Sequence, residues 1–322
     1  MATYLTVERL LLVWTLALVG CSPIKQAEPF TEQLPGTPYL VVLGNAQDGG
    51  YPQAGCLKAC CAPSWAGNVA HQYVVSLGLT YDSGKQWHLF EATPDVKHQL
   101  HLMGRYLPNG MCLPNGIWLT HGHMGHYTGL MHFGREAIGS SSIPVYAMPR
   151  MASYLQHNGP WSQLTALNNI SIQTIVADSS VALAKGLHIT PYLVPHRDEY
   201  TETVGFLISG PNKKALFIPD IDKWAKWNRN IIEEVKKVDY ALIDATFFAD
   251  GEIPGRNMNE IPHPFIVETV ALFQDVPRTV RQKVWLIHFN HTNPVLQPDS
   301  PQSQYLINMG FNLARQGDVL PL

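Results

Sequence analysis

Leu119-Thr120-His121-Gly122-His123-Met124-Gly125-His126-Tyr127-Thr128-Gly129-Leu130 places three histidines at i, i+2 and i+5. They stand behind an apolar run, Gly116 to Leu119, that reads as the end of a buried strand. Two histidines one residue apart face a common point from an extended or turning backbone. A third, three residues on, returns to that point once a helix has begun. Neutral imidazole is the commonest nitrogen ligand for zinc and iron. A metal needs three or four donors from separate parts of the chain, so this stretch predicts distant partners. The chain holds 14 histidines, and a polar loop would explain one of them here. Three at this spacing are what a metal site needs and a core does not.

The composition is that of an ordinary globular protein: 322 residues, 46% hydrophobic, 15% charged, net charge −3. With no basic excess there is no electrostatic footprint for nucleic acid, and none is expected as a partner. Gly 25 and Pro 24 imply many turns and long loops. No internal repeat or low-complexity tract is visible.

The N-terminus departs from this pattern. Leu10 to Val19 is an apolar run preceded by Arg9 and followed by Gly20-Cys21. It is short for a membrane span and has the length of a signal-peptide core. Leu18-Val19-Gly20-Cys21 resembles a bacterial lipobox, in which the cysteine is lipidated. Residues 1–20 are thus expected to be a lipoprotein signal peptide, and residues 21–38, rich in proline and polar residues, a tether. Residues 39–322 are expected to form one domain. The chain would then sit in the cell envelope, held to the membrane by lipid on Cys21.

Along the mature chain, apolar strand-like runs alternate with helical ones. Tyr39 to Leu43 reads as a strand, followed by the Gly-rich loop Asn45 to Cys56. Gln72 to Leu79 and Trp87 to Glu91 read as paired strands around Asp82-Ser83-Gly84. Asp95 to Tyr106 and Gly129 to Ile138 read as helices. Val204 to Ser209 and Ala215 to Ile218 form an expected hairpin. Ile231 to Val238 and Pro264 to Gln274 read as helices, Tyr240 to Ile243 and Val284 to Ile287 as strands. Candidate ligands fall just after strand ends: His121, His196, Asp220 and His288. Sheet-based active sites place their loops there.

His121-x-His123-x-Gly125-His126, then Pro195-His196, Pro219-Asp220 and Ile287-His288, resembles the ordered metal motifs of the metallo-β-lactamase-fold superfamily. The resemblance implies an α/β (α+β) architecture, an αββα sandwich with a metal centre at one edge. Carried over residue by residue, it implies one metal on His121, His123 and His196. Asp220 would bridge, and His126 with His288 would hold a second ion. The family pattern is His-x-His-x-Asp-His, and here Gly125 stands in the Asp position. That removes a carboxylate that no adjacent residue replaces. A single metal, a weakly held second metal and a different metal are the resulting alternatives.

Within the superfamily the chain is most similar to the coenzyme PQQ synthesis protein B family. The similarity lies in Leu43 to Gln53, Pro195 to Tyr200, Thr203 to Phe206, Ile218 to Trp224 and Asn290 to Pro294. It implies iron- and oxygen-dependent hydroxylation of a tyrosine-derived precursor in the cytoplasm. An exported chain would not meet such an intermediate.

Five cysteines are present. Cys21 is assigned to lipid. Cys56, Cys60 and Cys61 lie where the similar families carry a structural zinc knuckle; a disulfide or free thiols are the competing expectations. Cys112 has no evident partner. His291 is a candidate proton donor to a leaving group, a residue supporting a ligand, or an alternative ligand. Asp198 and Glu199 flank the His196 loop and are candidates to orient an imidazole through its second nitrogen; solvated loop charges are the leading expectation. His71, His88, His98, His101, His132, His157, His188 and His263 are assigned to the surface or to satisfied core positions. Trp224 and Trp227 are expected to pack.

The leading expectation is a metal-dependent hydrolase with one or two zinc ions, acting on a small-molecule ester, lactone, amide or phosphodiester. Asp220 would hold the attacking water. The alternatives are an iron-dependent oxygenase and a lipoprotein that binds a small molecule without catalysis.

Overall fold

The computed structural model describes Gly36 and residues 38–322 apart from Met111. The expected signal peptide, Cys21 and nearly all of the tether lie outside the described residues.

The described residues form two seven-stranded sheets. The first runs, in spatial order, Val319–Pro321, Tyr39–Gly44, Ser76–Tyr81, Gln86–Phe90, Gly116–Trp118, Ile143–Ala147 and Ile170–Thr174. The second runs Asn312–Leu313, Val284–Ile287, Tyr240–Asp244, Lys214–Ile218, Val204–Ser209, Leu187–Leu193 and Val181–Ala184. Each sheet begins with antiparallel hairpins and continues with parallel strands joined by crossovers. The parallel strands occupy one side of each sheet, out to the edge strands Ile170–Thr174 and Asn312–Leu313.

Strand alternation separates two apolar layers. Leu40, Val42, Leu77, Phe90 and Trp118 of the first sheet meet Phe206, Ile208, Ala215, Phe217, Leu242 and Ile287 of the second. Their sequence neighbours Leu216, Ile218, Ala241, Ile243 and Leu286 point the other way. There they pack under Ile231 and Val235 of helix Ile231–Lys236 and Ile266 and Val270 of helix Ile266–Leu272. Helices Val96–Met103 and Pro149–His157 pack across strands of the first sheet. The layers are thus helix, sheet, sheet, helix, as the motif resemblance implies.

Most expected elements occur within a few residues of their expected limits. The Asp82-Ser83-Gly84 turn has φ of 50°, 57° and 78° and joins Tyr81 to Gln86 in register. Gly129 to Ile138 differs: it is a 3-10 helix, Thr128–Phe133, followed by turns. The edge strand Val319–Pro321, which gives no sequence signal at three residues, pairs with Tyr39–Val41 from the far end of the chain. Trp224 and Trp227 are buried, donating to Thr269 Oγ1 and Leu193 O, so they pack as expected.

Candidate metal centre

Most polar side chains of the centre follow the C-terminal end of a strand; His263 comes instead from the loop before helix Ile266–Leu272. Asp48 follows Tyr39–Gly44, Glu91 follows Gln86–Phe90, and the histidine stretch follows Gly116–Trp118. His196, Asp220, Asp244 and His288 stand at or after the ends of second-sheet strands. The site is therefore the edge where both sheets expose their C-terminal strand ends, and each sheet supplies part of it.

The local backbone explains how one short stretch delivers three rings. His123 stays extended, with φ −92° and ψ 150°, at the start of helix Met124–Tyr127. The His126 N–H donates to His123 O at 2.9 Å, closing the first turn and bringing His126 back beside His121. Glu91 and His288 bend inward by left-handed backbone, φ 70° and 69°, costly for residues with a Cβ and typical of functional positions.

Four donor atoms form one group. His121 Nε2 lies 2.9 Å from His123 Nδ1, which lies 3.2 Å from His196 Nε2. Asp220 Oδ2 is 3.4 Å from His121 Nε2 and 3.2 Å from His196 Nε2. A tetrahedral zinc with bonds of about 2.0–2.1 Å needs donors about 3.3 Å apart. The spacing fits, as do the nitrogen and carboxylate donor types, for zinc or iron.

The outward nitrogens are held as well. His121 Nδ1 faces Thr120 Oγ1 at 2.9 Å, His123 Nε2 faces Glu199 Oε2 at 3.2 Å, and His196 Nδ1 faces Asp222 Oδ1 at 3.3 Å. An N–H donated to each of these oxygens leaves the inward lone pair free. Glu199 is thus not merely solvated. Asp198 instead accepts from Thr203.

A second group lies beside the first. Asp48, His126 and His288 bring one donor atom each together. His126 Nε2 is 3.3 Å from Asp48 Oδ1 and 3.9 Å from Asp220 Oδ2, so Asp220 faces both groups. His126 Nδ1 faces Glu91 Oε2 at 3.3 Å. His288 Nδ1 donates to Thr246 Oγ1 at 2.9 Å, and that hydroxyl donates to Asp244 Oδ1 at 2.7 Å. His263, expected at the surface or in a satisfied core position, is buried at the centre. Its Nδ1 lies 3.1 Å from Asp220 Oδ1 and 2.9 Å from Asp244 Oδ2, tying the two carboxylates together.

Electrostatics follow from burial and pairing. Burial alone would lower His126 and His196, but Glu91 and Asp48 outweigh it for His126, raising it to about 10. Asp220 and Asp222 raise His196 to about 9. Burial pushes Asp220 upward, yet His196 and His263 hold it well below the usual carboxylate range. Burial lowers His121, His123 and His288, which are therefore neutral donors.

His291 goes elsewhere. Its ring groups with Cys56, Cys60 and Cys61 and belongs, among the described residues, to none of the groups containing Asp220. The expected proton-donor role thus has no geometric support. The four cysteines among the described residues are free thiols, and Cys112 is exposed. Cys56 Sγ and Cys60 Sγ are 3.7 Å apart, far beyond the disulfide length of about 2.05 Å. A tetrahedral zinc with Zn–S bonds of about 2.3 Å needs about 3.8 Å between sulfurs.

Asp48, Glu91, Asp244 and His263 escaped the sequence reading. Only Asp48 carries a local signal, since it opens the Gly-rich turn.

The model of the beta-lactamase superfamily domain matches residues 86–289. Coenzyme PQQ synthesis protein B of Methylorubrum populi is 28% identical over 310 residues, covering 88% of this chain and all of that protein. The crystal structure of Zn2+-bound PqqB from Methylobacterium extorquens superposes with a TM-score of 0.73 at 24% identity, covering 88% of this chain and 100% of that one. A diphosphatase of the PhnP family follows with a TM-score of 0.62 at 20% identity, covering 88% and 96%. The matched region carries the three-histidine stretch, His196, Asp220 and His288 on the shared two-sheet scaffold, and the chain belongs to the beta-lactamase superfamily.

Proposed function

We propose that this protein is a metal-dependent hydrolase of a small-molecule ester, lactone or phosphodiester. The observation that carries the reading is the group His121, His123, His196 and Asp220, whose measured donor spacings lie between 2.9 and 3.4 Å. A zinc ion held there would acidify a water ligand and polarise the carbonyl or phosphoryl oxygen of the centre under attack. Asp220, ionised and buried, accepts a hydrogen bond from the attacking water and orients it. His263 fixes the plane of that carboxylate through Asp244. His123 and Glu199 stand on the open side of the centre, at 16% and 50% exposure. Tyr200, beside Glu199, packs on Tyr154, which contacts Tyr127 and Trp161, a surface suited to a ring or apolar portion of a substrate. Cys56, Cys60, Cys61 and His291 hold a separate structural zinc. His291 suits that role, since burial and Lys58 keep it neutral.

The test is turnover of bis(p-nitrophenyl) phosphate and p-nitrophenyl acetate by protein carrying the metal with which it purifies. The double change His121→Ala/His123→Ala should reduce turnover by at least about 1,000-fold. Turnover that survives it sinks the reading. Similarity along the whole of coenzyme PQQ synthesis protein B supports a second reading, an iron-dependent hydroxylase. Purified iron with oxygen uptake, and no ester or phosphodiester cleavage, would favour it.

A further inference from the structure

Gly125 occupies the position at which the superfamily motif carries an acidic ligand, and the structure shows what fills the space. A Cβ on Gly125 would lie 2.1 Å from Asp48 Oδ1, 2.7 Å from Asp48 Cα and 3.0 Å from Asp48 Cγ. The backbone and carboxylate of Asp48 therefore stand where a side chain at 125 would project. Asp48 Oδ1, His126 Nε2 and His288 Nε2 are buried atoms without a hydrogen-bond partner; Asp48 Oδ1 faces His126 Nε2 at 3.3 Å as an ion pair only, and one donor atom from each residue lies within 4.8 Å of the others. Three orphaned donors in one place are costly unless something satisfies them together.

The loop that brings Asp48 there is anchored to the strand end that presents His288. Gln47 N–H donates to Phe289 O at 2.8 Å, and Phe289 N–H donates to Asn45 O at 2.8 Å. The turn closes through Gly50 N–H to Gln47 O at 2.7 Å, with Gly50 at φ 67°. Gln47 Nε2 donates to Asp48 Oδ2 at 3.1 Å, leaving Oδ1 for the centre. A carboxylate held this way is preorganised as a ligand.

We propose that Asp48 is the carboxylate ligand of a second divalent transition-metal ion, zinc or iron, shared with His126, His288 and Asp220. It replaces from a distant loop the acidic residue missing at position 125. Gly125 is then a requirement of this arrangement and not a lost ligand. The proposal rests on the reading that His121, His123, His196 and Asp220 hold the first ion.

The second ion should depend on the Asp48 carboxylate and gain nothing from an acid added at position 125. Metal content after exhaustive dialysis, measured by elemental analysis of the full chain, reads this without reference to activity. Asp48→Asn, nearly isosteric, should bind one ion fewer than the parent, or hold its last ion at least about tenfold more weakly. Gly125→Asp alone should gain no ion, because its side chain meets Asp48. Full metal content in Asp48→Asn overturns the proposal. His121→Ala separates the two readings. If it leaves metal content unchanged, the first-ion reading has failed. If it loses an ion while Asp48→Asn loses none, only the role of Asp48 has failed.

Discussion

His88 shows how burial alone sets the behaviour of a single titratable residue. Its ring lies against Tyr146, Trp118 Nε1–H donates to its Nδ1 at 2.9 Å, and its Nε2 faces Tyr81 Oη at 3.2 Å. Gly116 makes the room, since a Cβ there would lie 2.8 Å from the ring. A proton on Nδ1 would oppose the Trp118 donor, and burial lowers the pKa to about 4. The unfolded chain takes up the proton near pH 6.5 and the folded one near 4, so stability is complete above about 6.5 and is lost as pH falls toward 4. Between pH 7 and pH 5 this residue should remove about 2 kcal/mol. Chemical denaturation of the parent and of His88→Leu at both pH values checks it. The variant should be less acid-sensitive by that amount, and equal sensitivity would refute the assignment.

At the scale of elements, the segment from Gln53 to Trp65 shows why a loop of this length keeps its shape. It contains one short helix, Ala62–Trp65, and exposes Leu57 and Trp65. Its buried anchors are Cys56 and Cys61, with Tyr51 Oη donating to Cys60 O at 2.8 Å. Burial raises the Cys61 thiol to about 12 and raises Cys60 as well, while at Cys56 burial is outweighed by the backbone hydrogen bond at Lys58, so without a metal Cys60 and Cys61 stay protonated. Bound zinc would take thiolates and supply the missing cross-link. Cys60→Ser should therefore lower zinc content by about one ion per chain and speed proteolysis within this segment. Mass spectrometry of the fragments locates the cut. An unchanged zinc content would show that the cluster holds no ion.

At the scale of the whole molecule, the centre joins the two sheets at their shared edge. His121, His123 and His126 come from the first sheet; His196, Asp220 and His288 come from the second. Phe90 sets its edge to Phe206 and Phe217 across the interface, so the core already couples the sheets. An ion bound only by the folded chain adds about 2.7 kcal/mol at a hundredfold excess over its dissociation constant. For a domain of this size, removal of the ions by a chelator should lower Tm on the order of 5–10 °C. Restoring zinc should reverse the shift. The shift should shrink in His121→Ala/His123→Ala, and a chelator effect of equal size in that variant would place the stabilising ion elsewhere.

Local chemistry made the strands and the ligands after their ends legible in the sequence; the sandwich and the grouping of ligands came from the motif resemblance. Strand ends followed by His121, His196, Asp220 and His288 identify themselves, because a ligand must leave a strand at its end and needs few residues to do so. Tertiary structure decided the residues whose roles depend on distant neighbours. Asp48 looks like part of a glycine turn until Phe289 pins it against His126. His263 and Asp244 carry no motif and meet at Asp220 only because helix and strand ends converge. His291 follows His288 by a few residues yet turns to the cysteines. Periodicity and spacing record what one element holds; Asp48, Asp244 and His263 join the centre between elements, where only packing sets the distances.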